Sequence, residues 1–509
     1  MTKRKLAFPA LAAAILLFAL PSFAQAAGTI TLDWGNVILK SRTTASMEVC
    51  VEPPMRRGKP IHDQLFQALN QLGADYVRLS PWHPYPRIAV AELEPPHEGR
   101  TSWDFSLIDP VVADFMQATS GHSVDMNMST IPSWMFKSDK PATYPVDPDE
   151  ITWNYEQGKE LRDPSMKEVA DYWSRVASWY TKGGFKDEYG QWHASDHHYK
   201  FDYWEVLNEV EYEHSMSPEL YTKIYDAVVP ELHEVAPEMK FVGMGLGPSG
   251  PLNQPKWFEY FLDPKNHKPG IPLDAISYHF YAVPGADETP EIMQHTFYDQ
   301  AEDFVNVVRY IEAIRKRLSP QTATHVNEVG TILPNGRSEE FMQPIPNVYW
   351  NLSGGMYAYL YVRLTQLGID VVDESELIDY PGQYPGTTLV DWKSGKPNAR
   401  YWVLKLVRDN FGPGDKLVQS RFVSSEPGDE SSQREYILAQ GFVTRDGKHK
   451  ILLINKRNRN FDVTIPNGSG AQVEYVDQTT GFEPPNKATL QSDHLALSGF
   501  GVAVVTLAN

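Results

Sequence analysis

Two short runs carry the residues best suited to chemistry. Phe201-Asp202-Tyr203-Trp204-Glu205-Val206-Leu207-Asn208-Glu209 is an apolar, aromatic, strand-like stretch closed by Asn-Glu, and Thr324-His325-Val326-Asn327-Glu328 is a second stretch closed by Glu. Two carboxyl groups facing each other across a cleft can split a glycosidic bond. One, held protonated, gives its proton to the departing oxygen; the other, ionised, attacks the anomeric carbon or activates a water. The proton donor needs a raised pKa, from burial or a like-charged neighbour. A separation of about 5–5.5 Å serves a retaining reaction and about 6.5–9.5 Å an inverting one. Sequence spacing does not choose between them. An Asn directly before the acid is placed to hydrogen-bond a sugar 2-hydroxyl.

These side chains need a frame that aims them at one point. From residue 45 to 412 the chain alternates short strand-like runs (46–51, 76–79, 123–128, 203–207, 240–244, 275–278, 324–326 and 369–372) with amphipathic stretches such as 61–72, 107–118, 165–180, 218–235, 301–318 and 353–367. Eight such repeats predict a parallel α/β fold, a (β/α)₈ barrel with long loops. An open doubly wound sheet is the competing fold, but its Gly-rich first turn is replaced here by Glu52-Pro53-Pro54-Met55, which cannot cradle a phosphate. In a barrel, Glu209 closes the fourth strand and Glu328 the seventh, and both face the C-terminal mouth where chemistry is expected. From 413 to 509 short β-like segments separated by Gly, Pro, Asn and Asp predict an accessory β-sandwich, to which an N-terminal β segment at 27–44 can add a strand.

Asn-Glu closing strand four and Glu closing strand seven resemble clan A glycoside hydrolases, and the sequence looks most like family 39, the β-xylosidase and α-L-iduronidase group. Trp103-Asp104-Phe105-Ser106, Ser129-Thr130-Ile131-Pro132 and His279-Phe280-Tyr281 add to the likeness, which covers roughly residues 45–410. The resemblance implies Asn208 on the sugar, Glu209 as acid/base and Glu328 as nucleophile. Asn327-Glu328-Val329-Gly330 departs from the Thr-Glu-Trp that is commoner there. The implied activity is an exo-acting retaining hydrolysis of a β-xyloside or related neutral sugar. An α-L-iduronidase is the runner-up, disfavoured by Tyr281 where a Lys would suit a uronate, and a catalytically silent carbohydrate-binding barrel is the non-enzymatic alternative.

Further residues fall at the same mouth. His279 and Tyr281, two apart, point to one side, so that Tyr281 can bond the nucleophile while His279 meets a sugar hydroxyl. Arg78, ending strand two, is expected to meet a carboxylate, with Glu328 the natural partner. His83 and Trp134 on loops and Glu374 after strand eight are expected to contact sugar. No cofactor or metal is expected: His193, His197 and His198 lie in a polar loop without helical ligand spacing.

The bulk composition bounds the partners. A formal charge of −19 without a Lys/Arg-rich run excludes nucleic-acid binding and leaves a carbohydrate as the expected partner, with the oligomeric state open. Lys3, Arg4 and Lys5, an apolar run to Leu20 and Ala24-Gln25-Ala26 read as a signal peptide over residues 1–26. The mature protein is then expected to be periplasmic or extracellular, with no membrane span. Cys50 is the single cysteine and is expected to be a small core residue, since no intrachain disulfide can form.

Overall fold

The computed structural model describes residues 26–138, 143–153, 155, 160–247, 255–338, 344–425 and 436–508; the expected signal peptide lies outside them apart from Ala26. Eight parallel strands close into a barrel: Thr44–Val51, Val77–Pro81, Val124–Met126, Tyr203–Glu205, Lys240–Leu246, Ala275–Ala282, Ala323–Thr331 and Val371–Glu374, the last pairing with the first. Their outward side chains, such as Met47, Val49, Leu79, Val124 and Trp204, are apolar and buried in the core shared with the surrounding helices.

Local chemistry fixes the surrounding helices. Ser217 accepts a hydrogen bond from the Leu220 amide, Pro218 follows at the first helical position, and the helix Pro218–Val235 buries Tyr221, Ile224, Tyr225, Val228, Val229 and Leu232 at helical spacing. Gly73, in the left-handed region, stops His62–Leu72. The helices Pro290–Leu318 and Asn347–Leu367 start several residues before their apolar patterns become plain. Each follows a proline-marked start, which the pattern alone underweights.

Two strand ends differ from the sequence expectation. The fourth strand stops at Glu205, so Asn208 and Glu209 stand beyond it in a turn. The seventh runs past Glu328 to Thr331. No helix among the described residues is long and apolar enough to cross a membrane.

Beyond the turn at Gly412-Pro413-Gly414, the remaining chain forms a nine-stranded, mostly antiparallel sheet joined by the N-terminal strand Ala26–Lys40 between Lys416–Ser424 and Phe461–Thr464. Period-two alternation gives this sheet two apolar faces. In His449–Asn455, Leu452 and Ile454 belong to the core shared with the barrel helices, while Ile451 and Leu453 face the sheet's own core with Ile30, Ile437, Phe461 and Val505. Hydrogen bonds from Trp402 Nε1 to the Phe482 carbonyl (3.2 Å) and from Gln366 to Gln440 (2.9 Å) bind it to the barrel.

Candidate active site

The inner face of the barrel mouth is charged, and Arg78 is its centre. Its fully buried guanidinium donates to Glu205, to Glu328 Oε1 (2.7 Å) and to Asn208 Oδ1 (2.6 Å), and stands 3.5 Å from Glu48. One rigid fork thus ties strand two to strands four and seven. Glu205 completes the frame by accepting from Asn127 (2.7 Å), Asn327 (2.9 Å) and Ser277. Burial alone would raise the Glu205 pKa, but Arg78 and these donors outweigh it and hold the carboxylate low.

A bulge aims the seventh strand. Its pairing with strand six shifts register between Val326 and Glu328, so that the neighbours Asn327 and Glu328 both reach inward, where regular alternation would send them to opposite faces. On strand six, Ser277, His279 and Tyr281 follow the regular period of two. Tyr281 donates to Glu328 Oε2 (2.7 Å) and lies 2.7 Å from the Ser375 hydroxyl. A side chain at Gly330 would come within 2.8 Å of the Tyr281 ring, so only glycine leaves the ring its place.

Glu209 is presented from a strained turn, with φ of 38° in the left-handed region. Its amide donates to the Gly245 carbonyl (2.7 Å), and a Cβ on Gly247 would stand 2.9 Å from its carboxylate. His279 Nδ1 lies 3.0 Å from Glu209 and 3.2 Å from Glu328, and one oxygen of each glutamate and this nitrogen lie mutually within 4.8 Å. Burial raises the Glu209 pKa against the opposing pull of His279. Burial lowers that of His279, but the two carboxylates outweigh it and leave the imidazole more basic than usual.

The pair opens into a cleft of about 190 Å³ lined by Trp82, Tyr212, Tyr384, Arg337, Glu376 and Asp379 among others. Arg337 stacks between Trp153 (4.0 Å to the ring centre) and Tyr384 (4.8 Å). Asn208, Glu209, Tyr281 and Glu328 line this cleft, while Arg78 and His279 stand behind it.

Three expected sugar contacts lie elsewhere. Glu374 is corrected: its neighbour Asp373 faces the barrel interior, so Glu374 points outward, fully buried and 3.0 Å from Arg400. Trp134 is corrected as well, since its indole donates to the Glu92 carbonyl (2.8 Å) beneath Arg162, beside a different groove. His83 stands 3.3 Å from Glu213, one layer behind the cleft. Glu213 also accepts from Trp82 (2.9 Å) and Asn208 (3.1 Å). Burial would raise its pKa, but His83 and His214 bring it down to about 2. His193 and His197 each pair with one aspartate, Asp187 (3.0 Å) and Asp109 (3.2 Å), and share no ligand set.

The sequence reading passed over Glu205, Glu213, Ser375, Glu376 and Asp379, and took Cys50 for core filling only. The available signal was a charged residue inside an otherwise apolar strand: Glu48 in Ser46–Val51, Asp125 in Ser123–Met128 and Glu205 after Trp204 all face the interior. Cys50 is buried, donates to Glu48 (3.0 Å) and touches the cleft.

No family model matches the sequence, and no curated protein resembles it in sequence. The fold is shared with solved glycoside hydrolases. The GH51 arabinofuranosidase from Xanthomonas axonopodis pv. citri aligns over 95% of this chain and 100% of its own, at 12% identity and a TM-score of 0.64. A bifunctional glucanase-xylanase from a metagenome library aligns over 95% and 99%, at 13% identity and a TM-score of 0.59. The GH39 β-xylosidase from Caulobacter crescentus aligns over 94% and 100%, at 14% identity and a TM-score of 0.57, so this chain has the architecture of the clan A glycoside hydrolases.

Proposed function

We propose that the protein is an exported, retaining, exo-acting glycosidase that removes a β-linked xylose or related neutral sugar. The observation that carries this reading is that Glu209 and Glu328 face each other across one imidazole nitrogen, His279 Nδ1 lying 3.0 Å from the first and 3.2 Å from the second, a closeness that supports the short separation of a retaining pair. Glu328, fixed by Arg78 and Tyr281 with its charge balanced by the guanidinium, attacks the anomeric carbon as the glycosidic bond breaks. The departing oxygen takes the proton of Glu209, whose raised pKa keeps that proton available. Water then gives a proton back to Glu209, attacks the same carbon and releases Glu328, so that two inversions leave the configuration retained. Asn208, held by Arg78 and Glu213, offers its remaining amide hydrogen to the 2-hydroxyl.

One observation favours a second substrate class. Arg337 is a cation in the cleft lining, where it could meet the carboxylate of a uronate.

The test is hydrolysis of nitrophenyl β-xyloside, β-glucoside, α-L-arabinofuranoside and α-L-iduronide by wild type, Glu209→Ala and Glu328→Ala. Each variant is expected to lose about 10²–10⁴-fold or more in turnover. With a β-substrate, azide should rescue Glu209→Ala as the β-glycosyl azide and Glu328→Ala as the α-anomer. Undiminished turnover in either variant would remove that residue from the mechanism, and a wild type silent on all four sugars and on oligosaccharides would favour a binding protein. Export is tested by the N-terminus of the secreted protein, expected at Ala27.

A further inference from the structure

A second group of carboxyls adjoins the cleft and has no part in the two-glutamate chemistry. Glu52 follows the first barrel strand, and Glu376 and Asp379 follow the eighth, so barrel closure brings them together. One oxygen from each lies within 4.8 Å of the other two. Glu52 is 1% exposed, and neither of its oxygens has a hydrogen-bond partner. Glu376 accepts from the Cys50 amide (3.1 Å) and lines the cleft. Asp379, also at the cleft, accepts from the Tyr380 and Tyr384 amides (2.9 and 2.8 Å) and from the Thr387 hydroxyl (2.7 Å).

Three carboxyls gathered in low dielectric need either protons or a counter-charge. The neighbouring arginines are engaged elsewhere, Arg78 with Glu205 and Glu328, and Arg400 with Glu374 and backbone carbonyls. Oxygen-only donors select a hard cation. Calcium–oxygen distances of about 2.3–2.6 Å allow ligands up to roughly 4.6–5.2 Å apart, so three oxygens within 4.8 Å of one another can share one ion, and a set of three carboxylates suits calcium better than magnesium, which is usually held by one or two and keeps several waters. A soft metal is disfavoured because the ligands are all oxygens and the one nearby sulfur, on Cys50, donates to Glu48 instead.

We propose that Glu52, Glu376 and Asp379 hold a calcium-class divalent cation in the wall of the cleft, with its remaining coordination positions open toward sugar hydroxyls. The strand ends supply the ligands from positions more than 300 residues apart, which is why no spaced motif announces the site.

The site is tested on the full-length mature protein without any substrate, so the result is independent of the glycosidase reading. Protein stripped with EDTA and desalted is titrated with Ca²⁺ by calorimetry, and with Tb³⁺ by luminescence sensitised through Tyr85, Tyr380 and Trp82. One Ca²⁺ per chain is expected, with a dissociation constant of about 10⁻⁵–10⁻³ M and a rise in unfolding temperature on adding Ca²⁺. Glu52→Gln and Asp379→Asn are each expected to weaken binding at least about tenfold. Should either variant fail to fold, the wild-type titration and thermal shift decide alone. Absence of Ca²⁺ and Tb³⁺ binding by wild type at millimolar concentration, or undiminished affinity in both variants, would overturn the site and leave the carboxyls sharing protons.

Discussion

The nine-stranded sheet and the barrel mouth are both buried β structure, yet they bury opposite things. Between its layers the sheet packs Ile437, Ile451, Leu453, Phe461, Val463 and Val505 against one another. The mouth buries Arg78, Glu48, Glu205 and Asp125 with almost no exposure. Hydrocarbon burial contributes roughly 25 cal/mol for each Å² and asks for no particular partner. Buried charge must be paired, hydrogen-bonded or neutralised, so every group constrains the next. The sheet can therefore hold its shape through many substitutions, while the mouth holds a geometry that single substitutions break.

The largest expected effect is at Arg78. Arg78→Met removes the cation shared by Glu205, Glu328 and Glu48 and should cost about 3–5 kcal/mol of stability in urea unfolding. It should also abolish turnover, because Glu328 loses a donor and its charge balance together. Arg78→Lys restores the charge without the planar fork and should recover stability more than activity. Full turnover in Arg78→Lys would mean that charge alone, and not the fixed fork, sets the site.

Leu453→Ala sharpens the contrast from the other side. Leu453 is fully buried in the sheet core, and its truncation should cost about 2–5 kcal/mol. Turnover and KM of the folded variant should match wild type. A selective loss of turnover well below the unfolding temperature would show that the sheet also positions the barrel mouth.

The same contrast explains what the sequence could reveal. All eight barrel strands were legible because their burial leaves apolar runs between amphipathic stretches, and Glu209 and Glu328 stood out as carboxyls at the ends of such runs. Arg78 was legible as a charge inside a strand. Glu328 was legible as its partner although 250 residues away, whereas Glu205, 127 residues away and inside an aromatic strand, was not. Glu374 was misread because a one-residue parity decides whether a side chain faces the interior or Arg400, and neither Asp373 nor Glu374 declares it locally. The bulge that turns Asn327 and Glu328 inward together leaves no compositional mark. Glu376 and Asp379 sit in an ordinary polar loop, and only barrel closure places them beside Glu52.

The last effect is read through pH instead of truncation and concerns a buried carboxyl that forms no ion pair. Glu92 is fully buried outside the cleft, neither of its oxygens has a hydrogen-bond partner, and burial followed by the nearby Glu188 raises its pKa to about 8. In the unfolded chain a glutamate titrates near its ordinary value of about 4.3. Below that pH both states hold the proton and the contribution of Glu92 to stability is fully present. Between there and about pH 8 the unfolded chain releases the proton while the folded protein keeps it, so stability falls as pH rises, by at most about 1.4 kcal/mol per pH unit. Glu92→Gln mimics the protonated form at every pH. Its unfolding temperature should lie near that of wild type at pH 4.5 and above it at pH 8, where the wild-type carboxyl is being forced to ionise. A variant less stable than wild type at pH 8 would mean that Glu92 is ionised and compensated, and the rule separating paired from neutral carboxyls in this barrel would fail at its plainest case.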